Sequence, residues 1–98
     1  MYRVMVDDNF DYMDEEDRWE LGSFATAQEA IAACRALVEK DLADYFKPGM
    51  TAAELYELYV DFGDDPFIVG TPGEPWIKFS AWDYAKKRAE EICSGANR

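Results

Sequence analysis

Tyr2, Val4 and Val6 alternate with Arg3 and Met5, and this period of two predicts a half-buried strand at the start of the chain. A second strand is expected over about 18–24 through Trp19, Leu21 and Phe24, with Gly22 marking a bulge where the alternation breaks. The period then lengthens. Ile31, Cys34, Val38, Leu42 and Tyr45 fall on one stripe of a helix over about 27–46, which Lys47-Pro48-Gly49 ends. Leu55, Leu58, Tyr59 and Phe62 recur at helical spacing in a second helix over about 52–62. Tyr56 and Val60 widen its apolar arc past half the circumference, so it has to touch two neighbours, in its own chain or in a partner.

The helix starts carry explicit signals. Thr26-x-x-Glu29 and Thr51-x-x-Glu54 have the form of capping boxes, and Ser80-x-x-Asp83 is a shorter-armed variant. Met50 with Leu55, and Phe79 with Tyr84, stand at hydrophobic-staple positions. Gly63-Asp64-Asp65-Pro66 reads as a turn, Phe67-Ile68-Val69 as a third strand and Trp76-Ile77-Lys78-Phe79 as a fourth. A last helix runs from Ala81 to about Cys93, stopped by Gly95, with Trp82, Ala85, Ala89, Ile92 and Cys93 inward. The order β-β-α-α-β-β-α predicts one α+β domain over residues 1–98, with three helices on one face of a small antiparallel sheet of about four strands.

Composition removes several functions. The chain has 98 residues, a net charge of -11 and no histidine, so no Ser-His or Cys-His pair and no imidazole metal ligand can form. Such acidity repels a phosphate backbone, so nucleic acid is not an expected partner. No charge-free run exceeds eight residues, against the roughly 20 a membrane span needs, and the first 20 residues, with eight acids and two bases, are unlike a presequence. A cytoplasmic protein is expected. Cys34 and Cys93 lie on apolar stripes and read as buried free thiols.

The charge is concentrated in the stretch 7–17. Asp7-x-Asn9-x-Asp11 matches the first three ligand positions of a calcium loop, but Tyr12 replaces the turn glycine and Arg18 the bidentate glutamate. A hairpin loop facing water is the expected state. Phe10, Tyr12 and Met13 among the acids either fold back onto the domain or anchor a contact surface. Asp61-Phe62-Gly63 spells a kinase string without any other kinase signature, and reads as a helix end with Gly63 in a left-handed cap. Asp64 and Asp65 would acquire shifted pKa values, and could attract a cation, where they meet other carboxylates. Lys86-Lys87-Arg88 is the one basic cluster, on the last helix.

Three stretches, Tyr2-Arg-Val-Met-Val-Asp-Asp-Asn-Phe-Asp-Tyr-Met-Asp14, Phe24-Ala-Thr-Ala-Gln-Glu-Ala30 and Asp64-Asp-Pro-Phe-Ile-Val69, resemble a group of short bacterial proteins of unknown function. The resemblance implies a bacterial, cytoplasmic, single-domain protein and brings no activity, cofactor or site residue with it.

Two functions are consistent with the residues. The first is a non-enzymatic protein-interaction module that meets a basic protein partner through Asp7, Asp8, Phe10, Asp11, Tyr12, Asp14 and Glu15. The second is a binder of a small ligand or divalent cation through clustered carboxylates and aromatics. No cofactor is expected, and the apolar arc of the second helix together with open sheet edges favours a homodimer.

Overall fold

Strand β1 (Tyr2–Asp8) sits between β2 (Trp19–Phe24) and β3 (Asp64–Gly70) in an antiparallel sheet of order β2-β1-β3. The computed structural model describes residues 1–8, 18–70, 73 and 77–96. Between β1 and β2 the register passes from Val4 opposite Gly22 to Met5 opposite Glu20, which leaves Leu21 as the extra residue of the bulge expected at Gly22. Between β1 and β3 it runs unbroken from Tyr2 opposite Gly70 to Asp8 opposite Asp64. Opposed residues share a face, so Val4, Val6, Pro66 and Ile68 form one apolar side, all of them buried.

Helix α1 (Ala27–Tyr45) joins two cores. Its first half packs Ala30 and Cys34 on Val4 and Ile68 of the sheet. Its second half packs Val38 and Leu42 against Leu55 and Tyr59 of α2 (Ala52–Phe62) and Ala81, Ala85, Ala89 and Cys93 of α3 (Ala81–Ala96). The alanine stripe of α3 lets its backbone come close, and each buried leucine or valine contributes roughly 1.5–3 kcal/mol. The wide apolar arc of α2 therefore finds both its neighbours, α1 and α3, in its own chain. Both cysteines are free and buried.

The caps lie where their residues predict. The Thr26 hydroxyl accepts the Glu29 amide at 3.1 Å, and Ser80 Oγ that of Asp83 at 3.2 Å. Thr51 and Glu54 form the full reciprocal box. Phe79 and Tyr84 meet with ring centroids 6.1 Å apart.

Four expectations are corrected. The sheet has three strands among the described residues, and the order is β-β-α-α-β-α. Ile77 and Phe79 alternate inward as a strand would, but they pack on the cores from a segment outside the β ladder, while Trp76 lies outside the described residues. Asp64–Pro66 is the first part of β3 instead of a turn. Pro66 is tolerated because β3 is an edge strand, where a missing N–H breaks no ladder on the open side. Gly63 has φ -79°, so no left-handed cap exists; a Cβ there would stand 2.6 Å from Tyr59 Cδ1 and 2.7 Å from its carbonyl oxygen. Close approach, not backbone angle, requires the glycine. Finally, α3 continues through Gly95 to Ala96. No helix among the described residues is long and apolar enough to cross a membrane.

Candidate functional site

The strand register brings acids together at one end of the sheet. Asp7 opposes Asp65 and Asp8 opposes Asp64 across β1 and β3. Like charges directly opposite one another destabilise a sheet, so Asp7 and Asp65 need compensation or a raised pKa. Asp7 has compensation. It is 6% exposed, and its carboxylate receives Arg18 Nε at 2.7 Å and Nη2 at 3.3 Å in a forked ion pair. Asp7 and Arg18 flank the acidic stretch, so this pair closes its base. The Arg18 guanidinium also lies over the Phe67 ring, 5.1 Å from its centroid.

Asp65 takes the other course. Burial first, then the facing Asp7, pushes its carboxyl up to about 6 from an ordinary 3.8. Asp65 in turn adds to the burial that pushes the Cys34 thiol up to about 11.

A second pair forms on the helix side of the sheet. Asp41, 5% exposed on α1, accepts the Asp64 backbone N–H at 2.8 Å. Burial pushes its carboxyl up to about 6, against the pull of that N–H, and the Asp64 carboxylate adds to the rise. The Tyr59 hydroxyl donates to the Asp64 carbonyl from α2. The first residue of β3 is thus held by α1 and α2 together, which fixes where Asp65 points into the adjoining space.

That space is an open cleft of about 400 Å³ between the edge strand β3, α2 and the start of α3. Tyr56, Phe67, Phe79 and Trp82 wall it, and Asp65 and Asp83 supply carboxylates. Ser80, the cap of α3, also borders the cleft, and its hydroxyl is engaged by the Asp83 amide. Asp83 raises the Tyr56 phenol further after burial has done so, which places negative charge beside that ring. Aromatic faces and carboxylates around one cleft form an environment for a cation with an apolar stem.

Elsewhere, Glu39 of α1 receives Arg88 through Nε and through Nη2 at 3.3 Å, and the Tyr84 hydroxyl at 2.9 Å, clamping α1 to α3. Arg88, one of the three residues of the basic cluster, is thereby engaged within the fold. A second groove of about 450 Å³ lies between α2 and α3, with Tyr56 and Val60 on its wall and Glu57, Lys86 and Glu90 on its rim.

Of the residues the sequence singles out, Asp7 and Asp8 lie on β1, whereas Phe10, Asp11, Tyr12, Asp14 and Glu15 fall outside the described residues, as do Asn9 and Asp11 of the calcium-like pattern. Among the described residues no group of three or more His, Cys, Asp or Glu side chains is placed to hold a metal ion; the carboxylates meet in pairs. Sequence reading missed Asp41, although a lone acid beside Val38 and Leu42 on the inward stripe was a legible signal. It also missed the cleft, whose walls come from three separate elements and leave no linear pattern.

The fold and this site define an acidic α+β domain with an antiparallel sheet, three-stranded among the described residues, and an aromatic cleft beside β3. Comparison with known proteins found no matching family model, no matching curated protein and no matching solved structure.

Proposed function

We propose that the protein is a non-enzymatic binding module that receives a basic protein partner at the acidic end of its sheet. The observation that supports this is the strand register, which sets Asp7 opposite Asp65 and Asp8 opposite Asp64 and leaves Asp65 facing an acid whose own charge is met by Arg18. Groups held at the expense of stability are the ones a function retains. In sequence the acidic stretch 7–17 begins at Asp7 and is followed by Arg18, the ion pair at this end of the sheet, and its charge is of the sign that attracts a cationic surface.

Titration of a fluorescent, lysine- and arginine-rich peptide tests the reading by anisotropy. Neutralising Asp11, Asp14 and Glu15 should weaken binding at least about threefold more than neutralising Asp44, Asp61 and Glu90, which removes equal charge elsewhere. Equal weakening by the two variants would place no binding function at the sheet end.

A further inference from the structure

We infer that the cleft between β3 and the start of α3 seats an arginine side chain of the basic partner; this rests on the reading above and fixes one point of the contact. The walls are chemically matched to such a group. Tyr56, Phe79 and Trp82 offer aromatic surface to a planar guanidinium and its methylene stem, beside a Phe67 ring that Arg18 already covers on one face, and Asp65 and Asp83 offer it negative charge. At about 400 Å³ the cleft is at the small end of ligand cavities, a size for one long side chain and not for a large cofactor.

Asp65 is the carboxylate that β3 contributes to the cleft. Its carboxylate makes no hydrogen bond or ion pair with any described residue; burial and a second carboxylate, Asp7 of β1, both disfavour its charge, and the Cys34 thiol of α1 lies near enough to feel that charge without answering it. Across the cleft stand Asp83 of α3 and the Tyr56 phenol of α2. Arg18, on the same side of the sheet, is engaged by Asp7. A half-buried, repelled carboxylate facing aromatic walls is relieved by a cation brought from outside.

Arginine fits better than lysine on grounds the fold itself displays. Arg18 lies over Phe67 while it forks onto Asp7, and Arg35 lies 5.5 Å from the centroid of Tyr84. A guanidinium is weakly hydrated and stacks, so it loses less on entering an aromatic cleft than a compact ammonium does.

Anisotropy titrations with two labelled peptides of equal length and charge, one carrying arginine and the other lysine, test the inference on wild type, Asp65→Asn and Asp61→Asn. Asp65→Asn keeps the shape of the side chain and removes repulsion from Asp7, so it should fold. The arginine peptide should bind wild type at least about threefold more tightly than the lysine peptide, and Asp65→Asn should weaken it about tenfold while Asp61→Asn leaves it unchanged. Affinity of wild type should also fall as pH drops through about 6, where Asp65 gains its proton. If both peptides bind equally, or the two variants behave alike, the cleft is not the seat, although the acidic surface still attracts a basic partner. If neither peptide binds wild type, the inference and the reading beneath it both fall.

Discussion

Asp41→Asn should stabilise the protein at high pH, against the usual expectation for a buried, hydrogen-bonded side chain. The asparagine keeps an oxygen to accept the Asp64 N–H, now at 2.8 Å from the aspartate, and removes a charge that burial and the Asp64 carboxylate both disfavour. The magnitude follows from linkage. The folded-state carboxyl holds its proton up to about 6, against 3.8 ordinarily, so between those values the folded state binds more protons than the unfolded state. The stability from this group is full below pH 3.8 and is lost as pH rises through about 6. At about 1.36 kcal/mol per unit, the whole shift corresponds to a ceiling of roughly 3 kcal/mol. Relaxation around the site and the retained amide bond reduce the expected gain to about 1–2 kcal/mol at pH 8. By pH 5 the wild type recovers about 1 kcal/mol of this by protonation, so the advantage of the variant shrinks by that amount. Urea unfolding followed by tryptophan fluorescence reads the difference as a midpoint about 1 M higher for the variant at pH 8, and much closer to wild type at pH 5. Asp65 is shifted in the same direction, so the variant reduces the pH slope without abolishing it. A midpoint lowered equally at both pH values would show the Asp41 carboxylate to be favourably solvated, and would refute the reasoning.

Gly63→Ala should destabilise by about 1–3 kcal/mol, because the new methyl meets Tyr59 ring and backbone atoms within 3 Å and the tyrosine hydroxyl is tied to β3. An unchanged denaturation midpoint would contradict that geometry. Cys34 and Cys93 should react with a thiol reagent only as fast as the domain opens, with Cys34 further protected by its raised pKa, and urea should release both. Prompt native-state labelling of either one would contradict the packing of α1 or α3.

The legible parts of the fold are those governed by neighbours in sequence. A capping hydroxyl answers an amide three residues on, so Thr26, Thr51 and Ser80 marked the helix starts. Inward stripes follow from the helical period, and Cys34, Val38 and Leu42 are buried as that period requires. Misreadings arose where a local signal had two outcomes. Pro66 ends a central strand but is admissible in an edge strand, and nothing in Gly63-Asp64-Asp65-Pro66 reveals that β3 lies at an edge. Ile77 and Phe79 alternate inward, yet alternation reports burial and not whether a backbone partner exists.

The same division separates the acids. Composition determined that the protein is acidic, lacks imidazole chemistry and gathers charge near its start. Tertiary structure alone decided which carboxylates meet. Asp7 and Asp65 are 58 positions apart in the chain and opposite one another in the sheet, because the register of β1 with β3 pairs the buried Val4 with Ile68 over Ala30 and Cys34 of α1, and Val6 with Pro66 beside them. Packing of the apolar face thus fixed the placement of the charges on the other side of the pleat.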